Sequence, residues 1–227
     1  MKFLMLILLS SLIIANTVQA SGIFTPANTN DAPAGIIYNV AQPRVTNPLE
    51  FKGKRIAILA SHGVQESELT YPYEYFKNRG AQIDIVVPEW TKEKIMAVSY
   101  LKPTLWVAAS ETFKTAQTKN YDLVILTGGA WNSTVVRKDE EALRLINQNY
   151  RAGAFIAAVC SGPEVLIDAH LVAGTHLTST SSIHSDLMNA GAKVYNVPAM
   201  TDGRIITGRG PAEMLEFSQE IHRNLIK

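Results

Sequence analysis

The chain predicts an α/β fold, a mostly parallel sheet covered by helices on both faces. Three observations carry this expectation. Short apolar runs at 55–60, 121–126 and 154–159 read as buried strands, because polar alternation disappears when both faces of a strand are covered. Segments with apolar residues at helical spacing fall between and after them. The two kinds of segment alternate along the chain, the order that builds parallel crossovers.

The chain has 227 residues, a single cysteine and a formal net charge of +1. That length suits one domain with a substantial core. The balanced charge gives no footprint for nucleic acid, and none is expected as a partner. Lys2 followed by the apolar run Phe3–Ile14, broken only by Ser10 and Ser11, and then Val18-Gln19-Ala20, reads as a secretory signal peptide over 1–20. The apolar run is short against the roughly 20 residues of a membrane span. An exported protein, periplasmic or secreted, with Ser21 at its mature N-terminus and no membrane attachment after cleavage, is therefore expected; an uncleaved anchor is the alternative. With one cysteine, no intramolecular disulfide can form. An unpaired thiol in an oxidising compartment is either buried and inert or put to use.

Residues 21–51, rich in Ala, Asn, Pro and Thr, read as an extended arm or linker, within which Ile36-Ile37-Tyr38 could dock. The domain proper is expected over 52–227. Arg55–Ala60 is a buried strand and Ser61–Val64 a loop. Glu66–Asn78 is a helix with Leu69, Tyr73 and Phe76 at helical spacing, Pro72 inside it and Gly80 closing it. Ala81–Val87 is the next strand. Short strands around Ile95–Val98 and Leu105–Val107 follow, then a polar segment. Tyr121–Leu126 is a buried strand ending in Thr127-Gly128-Gly129, and Asp139–Tyr150 a helix. After the strand at 154–159 and its helix to about Ala169, Thr175–Thr178 reads as a short strand and Ile183–Asn189 as a helix. Lys193–Val197 and Arg204–Thr207 read as strands around an Asp202-Gly203 turn, and Pro211–Ile226 as the closing helix. Asn132-Ser133-Thr134 is a glycosylation sequon, meaningful only in a eukaryotic secretory host.

The chemistry gathers at the carboxyl ends of the strands, where open α/β sheets place their sites. Cys160 stands where an apolar strand stops and Ser161-Gly162-Pro163 opens a helix, with small residues two positions to either side, Ala158 and Gly162. This is the pattern of a nucleophile elbow with sulfur in place of a hydroxyl. Free cysteine is also among the most buried residue types, so the placement alone leaves inert burial open. A helix N-terminus favours an anion, and thiolate is the nucleophilic form. The backbone N–H groups of Ser161 and Gly129 are the candidate oxyanion-hole donors. The spacing shows no metal-ligating cluster, and neither a metal nor another cofactor is expected.

Four stretches together resemble the DJ-1/PfpI family: Glu68-Leu69-Thr70-Tyr71-Pro72, the run from Tyr121 to Gly129, Ala157-Ala158-Val159-Cys160-Ser161-Gly162-Pro163, and Ile206-Thr207-Gly208-Arg209-Gly210-Pro211. They appear in family order from about Lys54 to the C-terminus. The resemblance implies a flavodoxin-like three-layer sandwich with a mostly parallel central sheet, usually as a homodimer, and a reactive elbow cysteine at Cys160. It also implies that Glu68 lies beside that cysteine, protonated, donating a hydrogen bond to the sulfur or its oxidised form.

The departures from the family pattern are equally specific. Protease-like members carry His directly after the cysteine, where this chain has Ser161; DJ-1-like members carry one some twenty residues on, where this chain has Thr180. A late His-x-Glu, needed by the glutamine amidotransferases of the superfamily, is missing, which excludes that activity. His62, on the first strand-end loop, and His184, four residues past Thr180, are the candidate proton partners; Thr180 is a candidate substrate contact. His170, about 15 Å along its own helix, His176 and His222 read as structural or exposed. Three functions follow: glyoxalase- or deglycase-type chemistry on small electrophilic carbonyls; a non-enzymatic thiol responsive to peroxide, with a protective or chaperone-like role; and, least supported, proteolysis, which needs an activating base the chain does not show.

Overall fold

The structure is a computed structural model that describes residues 22–27 and 40–226. The expected signal peptide over 1–20 and the run Ile36-Ile37-Tyr38 lie outside the described residues.

In chain order, strand β1 spans Phe24–Pro26, β2 Arg55–Leu59 and β3 Val64–Gln65, and helix α1 spans Glu66–Lys77. Strands β4 (Gln82–Val87), β5 (Lys94–Ser99), β6 (Lys102–Ala108), β7 (Glu111–Thr112) and β8 (Leu123–Leu126) follow. Helices α2 (Asn132–Val136) and α3 (Glu140–Arg151) lead to β9 (Phe155–Val159) and α4 (Pro163–Asp168). After β10 (His176–Leu177), α5 (His184–Asn189) and β11 (Lys193–Val194), the hairpin β12 (Ala199–Asp202) and β13 (Ile205–Gly208) precedes α6 (Met214–Leu225).

The main sheet runs β12-β13-β9-β8-β2-β4-β7 and is parallel except at the β12–β13 hairpin. Its centre, β4-β2-β8-β9-β13, has the flavodoxin-like order in which the chain steps to one side of β2 and then to the other. The crevice this opens lies between the carboxyl ends of β2 and β8. Alternate side chains enter two cores. Ile56, Ile58, Ala157 and Val159 pack toward α1 and α6, whereas Ala57, Leu59, Ile156 and Ala158 pack toward α3, α4 and α5. That two-sided burial is the physical reason these strands read as unbroken apolar runs.

A second sheet, β1-β6-β5-β3, is built from the arm, from the segment with the two short expected strands around Ile95–Val98 and Leu105–Val107, and from the loop after β2. The arm is docked at several points. Phe24 is buried with its ring 5.3 Å from that of Tyr73. Gln42 donates to the Tyr71 carbonyl, and the Tyr71 hydroxyl donates to the Ala41 carbonyl. Phe51 is fully buried, edge-on to Phe76 and to His222.

Two boundaries differ from expectation. The strand that enters the Asp202-Gly203 turn is β12 at Ala199–Asp202, whereas the expected 193–197 strand is only the two-residue β11, paired with β10. Ala-Met-Thr-Asp is half-buried throughout and carries little β-branched signal. The closing helix starts as a 3₁₀ turn over Pro211–Glu213 before α6.

Because Phe51 fills a closed space between α1 and α6, Phe51→Ala is expected to cost about 3–5 kcal/mol. Urea unfolding checks this: the midpoint falls while the slope is retained. An unchanged midpoint would mean that the arm–domain contact contributes nothing.

Candidate active site

Strand β9 delivers Cys160 to the carboxyl edge of the sheet, and there the backbone reverses with φ of 61° at the cysteine. A side chain in that region costs on the order of 1–3 kcal/mol and persists only when its surroundings hold it. Here the Cys160 N–H donates to the Gly208 carbonyl at 3.0 Å, and the Cys160 carbonyl accepts from Thr180 N–H at 3.1 Å. The next turn closes with Gly162 N–H donating to Val159 O at 2.7 Å. A Cβ at Gly162 would sit 2.3 Å from the Leu126 carbonyl, so the elbow can pass this close to β8 only with glycine there.

Glu68 enters from the first turn of α1 and is completely buried. Its Oε2 accepts from Gly128 N–H at 2.6 Å. Oε1 has no regular hydrogen-bond partner, and the thiol of Cys160 is the side chain to which the carboxyl couples. Burial pushes the Glu68 carboxyl up to about 8, against the opposing pull of the Gly128 amide and the thiol. The thiol is itself raised, first by burial and then by the neighbouring carboxyl, while the Ser161 and Gly129 amides pull it back. Carboxylate and thiolate cannot both be charged here at low cost, so near neutral pH Glu68 keeps a proton that it can share with sulfur.

The loop after β8 supplies the opposite wall. A Cβ on Gly128 would lie 2.7 Å from Ser161 N and 2.9 Å from Cys160 Cβ; one on Gly129, where φ is 126°, would lie 2.2 Å from the Gly63 carbonyl. These two glycines let three loops converge. The amides of Ser161 and Gly129 hydrogen-bond toward the sulfur, so they brace an anion on sulfur itself.

Thus Cys160, Glu68, Gly129 and Ser161 are brought together, with Thr180 adjacent through its backbone bond. The two candidate histidines are engaged elsewhere. His62 Nδ1 accepts from Met96 N–H at 2.9 Å, and His184 Nε2 lies 3.2 Å from the Ser179 carbonyl. His170 is exposed, His176 pairs with Asp202, and His222 bridges Tyr75 and Glu50. Among the described residues no group of His, Cys, Asp and Glu is arranged to hold a metal ion.

Two residues that the sequence placed only in a sequon shape the site. Asn132 is fully buried: its side-chain oxygen accepts from Ser61 N–H at 2.5 Å and its amide donates to the Thr127 and Gly128 carbonyls, which ties the β2 and β8 loops together. That burial also removes the sequon from any glycosylating enzyme in the folded protein. Ser133 links the Ser161 hydroxyl, at 3.1 Å, to Glu164, at 3.2 Å. The signal for both was their position just past the double glycine, where a short α2 begins.

Glu68 ionises near 4.5 when unfolded and near 8 when folded. The folded state therefore binds the extra proton, and the stability Glu68 contributes is full below pH 4.5 and lost as pH rises through 8. The stability of the wild type relative to Glu68→Gln is expected to fall across that window, measured by urea unfolding at successive pH values. A pH-independent difference would contradict a raised Glu68.

The DJ-1/PfpI family profile matches residues 54–224. The chain is 28% identical over 166 residues to a protein of Thermococcus kodakarensis named a deglycase, covering 73% of this chain and 96% of that one. It is 26% identical, with the same coverage, to a Pyrococcus horikoshii protein also named a deglycase. The solved structure of Schizosaccharomyces pombe DJ-1 superposes with a TM-score of 0.67 over 75% of this chain and 90% of that one; at 19% identity this likeness speaks for the fold alone. With a profile match spanning the sheet, the elbow and the loops that meet at Cys160, the chain belongs to the DJ-1/PfpI family.

Proposed function

We infer that Cys160 is the nucleophile in a reaction on small reactive carbonyls, of glyoxalase or deglycase type. The observation that carries this reading is the buried, proton-bearing Glu68 coupled to a thiol that two backbone amides brace. The names of the two archaeal relatives support the substrate class.

For a 2-oxoaldehyde the electrons balance without an outside oxidant. From the singly protonated pair, with the proton on Glu68, the thiolate sulfur attacks the aldehyde carbon, a C–S bond forms, and the carbonyl π pair moves to oxygen, which takes the Glu68 proton. The Glu68 carboxylate then removes the proton from that carbon and delivers it to the adjacent carbonyl carbon, and it passes the hydroxyl proton of the first carbon to the neighbouring oxygen. The first carbon is oxidised to a thioester and the second reduced to an alcohol. Water cleaves the thioester, giving a 2-hydroxy acid and the free thiol. One carboxyl does all the proton transfer, which fits a pKa tuned near the working pH.

A second reading is favoured by the direction of the amides, which point at sulfur. Two molecules of peroxide would convert the thiolate to a sulfinate, releasing two waters, and the Ser161 and Gly129 amides with the Glu68 proton would hold its oxygens. The leader segment supports export for either role.

Methylglyoxal consumption decides between the two readings. The enzyme reading expects turnover that Cys160→Ser abolishes and Glu68→Gln lowers about a hundredfold or more. Equal rates, or none from either protein, would sink it. A stable two-oxygen adduct confined to Cys160 after graded peroxide, without carbonyl turnover, would establish the second. For export, the mature protein is expected to begin at Ser21 on N-terminal sequencing; a chain still starting at Met1 contradicts it.

A further inference from the structure

All three tryptophans of the chain gather on one dipeptide, His62-Gly63. The Trp90 ring lies 5.5 Å and the Trp106 ring 6.3 Å from the His62 imidazole. The Trp131 indole lies on Gly63 so closely that a Cβ there would meet it at 2.6 Å. Two of the three stay open to solvent, Trp90 at 59% and Trp131 at 47% exposure. Large aromatic faces gain more from burial than other side chains, so two left uncovered together are a feature to be explained.

Their position is beside the thiol. The Gly63 carbonyl accepts from Ala130 N–H at 2.9 Å, and the residue before Ala130 is Gly129, whose amide faces the sulfur. Trp131 is two peptide units from that glycine, so their Cα atoms are at most about 7.6 Å apart.

His62 adds a polar group on the same dipeptide. Its Nδ1 accepts the Met96 N–H, which places the proton on Nε2 in the neutral ring. Burial lowers the basicity of the imidazole and keeps it neutral. Nε2–H has no protein partner among the described residues. The dipeptide that pairs with the nucleophile-bracing loop thus carries a flat apolar face and a neutral N–H donor.

We propose that Trp131, with Trp90 and the His62 Nε2–H, forms a subsite for the ring of a ring-bearing carbonyl compound whose carbonyl carbon is presented to Cys160. This rests on the reading of Cys160 as a nucleophile toward carbonyl carbon. The methyl group of a three-carbon oxoaldehyde has no use for such a face, whereas a planar ring stacks on it in offset geometry.

Phenylglyoxal and methylglyoxal share the reacting group and differ by the ring, so the ratio of their kcat/KM values reads the subsite. The wild type is expected to favour phenylglyoxal, and Trp131→Ala to lower the ratio about tenfold, through KM. Trp131→Phe, which keeps a ring face, retains most of it. A ratio unchanged in Trp131→Ala overturns the proposal, including the case in which both rates fall together through a structural effect.

A binding measurement separates this proposal from the reaction. The three indole N–H resonances, assigned with Trp90→Phe and Trp131→Phe, are followed while the whole protein is titrated with acetophenone or with acetone. Shifts of the Trp131 and Trp90 signals with acetophenone and not with acetone support the subsite even if neither oxoaldehyde is consumed, which would count against the reaction alone. No response to acetophenone overturns it. So does a response only to protein dilution, which would assign this face to a second copy of the chain.

Discussion

A carboxyl group closed away from water and placed against a thiol is the interaction on which the rest of the structure depends. Two negative charges cannot share that space at low cost, so the pair holds a proton between them near neutral pH. The acidic first turn of α1 sits where the helix dipole would favour a carboxylate, but burial outweighs it and Glu68 stays protonated. What in other active-site designs falls to a histidine beside the cysteine falls here to this carboxyl, because His62 and His184 are each held by one ring nitrogen on a backbone group, Met96 N–H and the Ser179 carbonyl.

The surroundings hold the pair close, with Glu68 shut away from water and the thiol left partly accessible. The positive φ at Cys160 is tolerated because its N–H and C=O are both held by neighbouring loops. At Gly128, Gly129 and Gly162 an added Cβ would lie under 3 Å from neighbouring backbone, so these positions require glycine. Asn132 fastens the loop after β2 to the loop after β8. Loss of any one of these would move the amides or the carboxyl relative to sulfur, and positioning at this scale decides whether such groups act on one atom.

The central layers were legible in the sequence because physical pressure on them is uniform. Strands covered on both faces must be apolar throughout, and the order of strands and helices then gives the parallel sheet. Cys160 was legible because an elbow needs small neighbours and an abrupt stop. Glu68 was legible only through family resemblance, since a lone acidic residue on a helix ordinarily faces solvent. The second sheet and β12 were faint because their strands are half-exposed, short or paired with the arm, so that long-range pairing, more than local pattern, decides them. His62 faces the same limit: its loop was placed correctly, while the direction of its ring depends on Met96 and two tryptophans far away in sequence. The buried role of Asn132 was hidden behind a sequon.

The central claim concerns the charge state of one carboxyl. A carbon-detected NMR titration of the Glu68 side chain in the folded protein, repeated in Cys160→Ser, tests it most directly. The account predicts a protonated carboxyl at pH 7 that titrates near 8 in the wild type. It also predicts that the carboxyl stays well above the ordinary carboxylate range in the serine variant, because burial is the larger cause. A carboxyl already ionised at pH 6, titrating near 4.5, would contradict it.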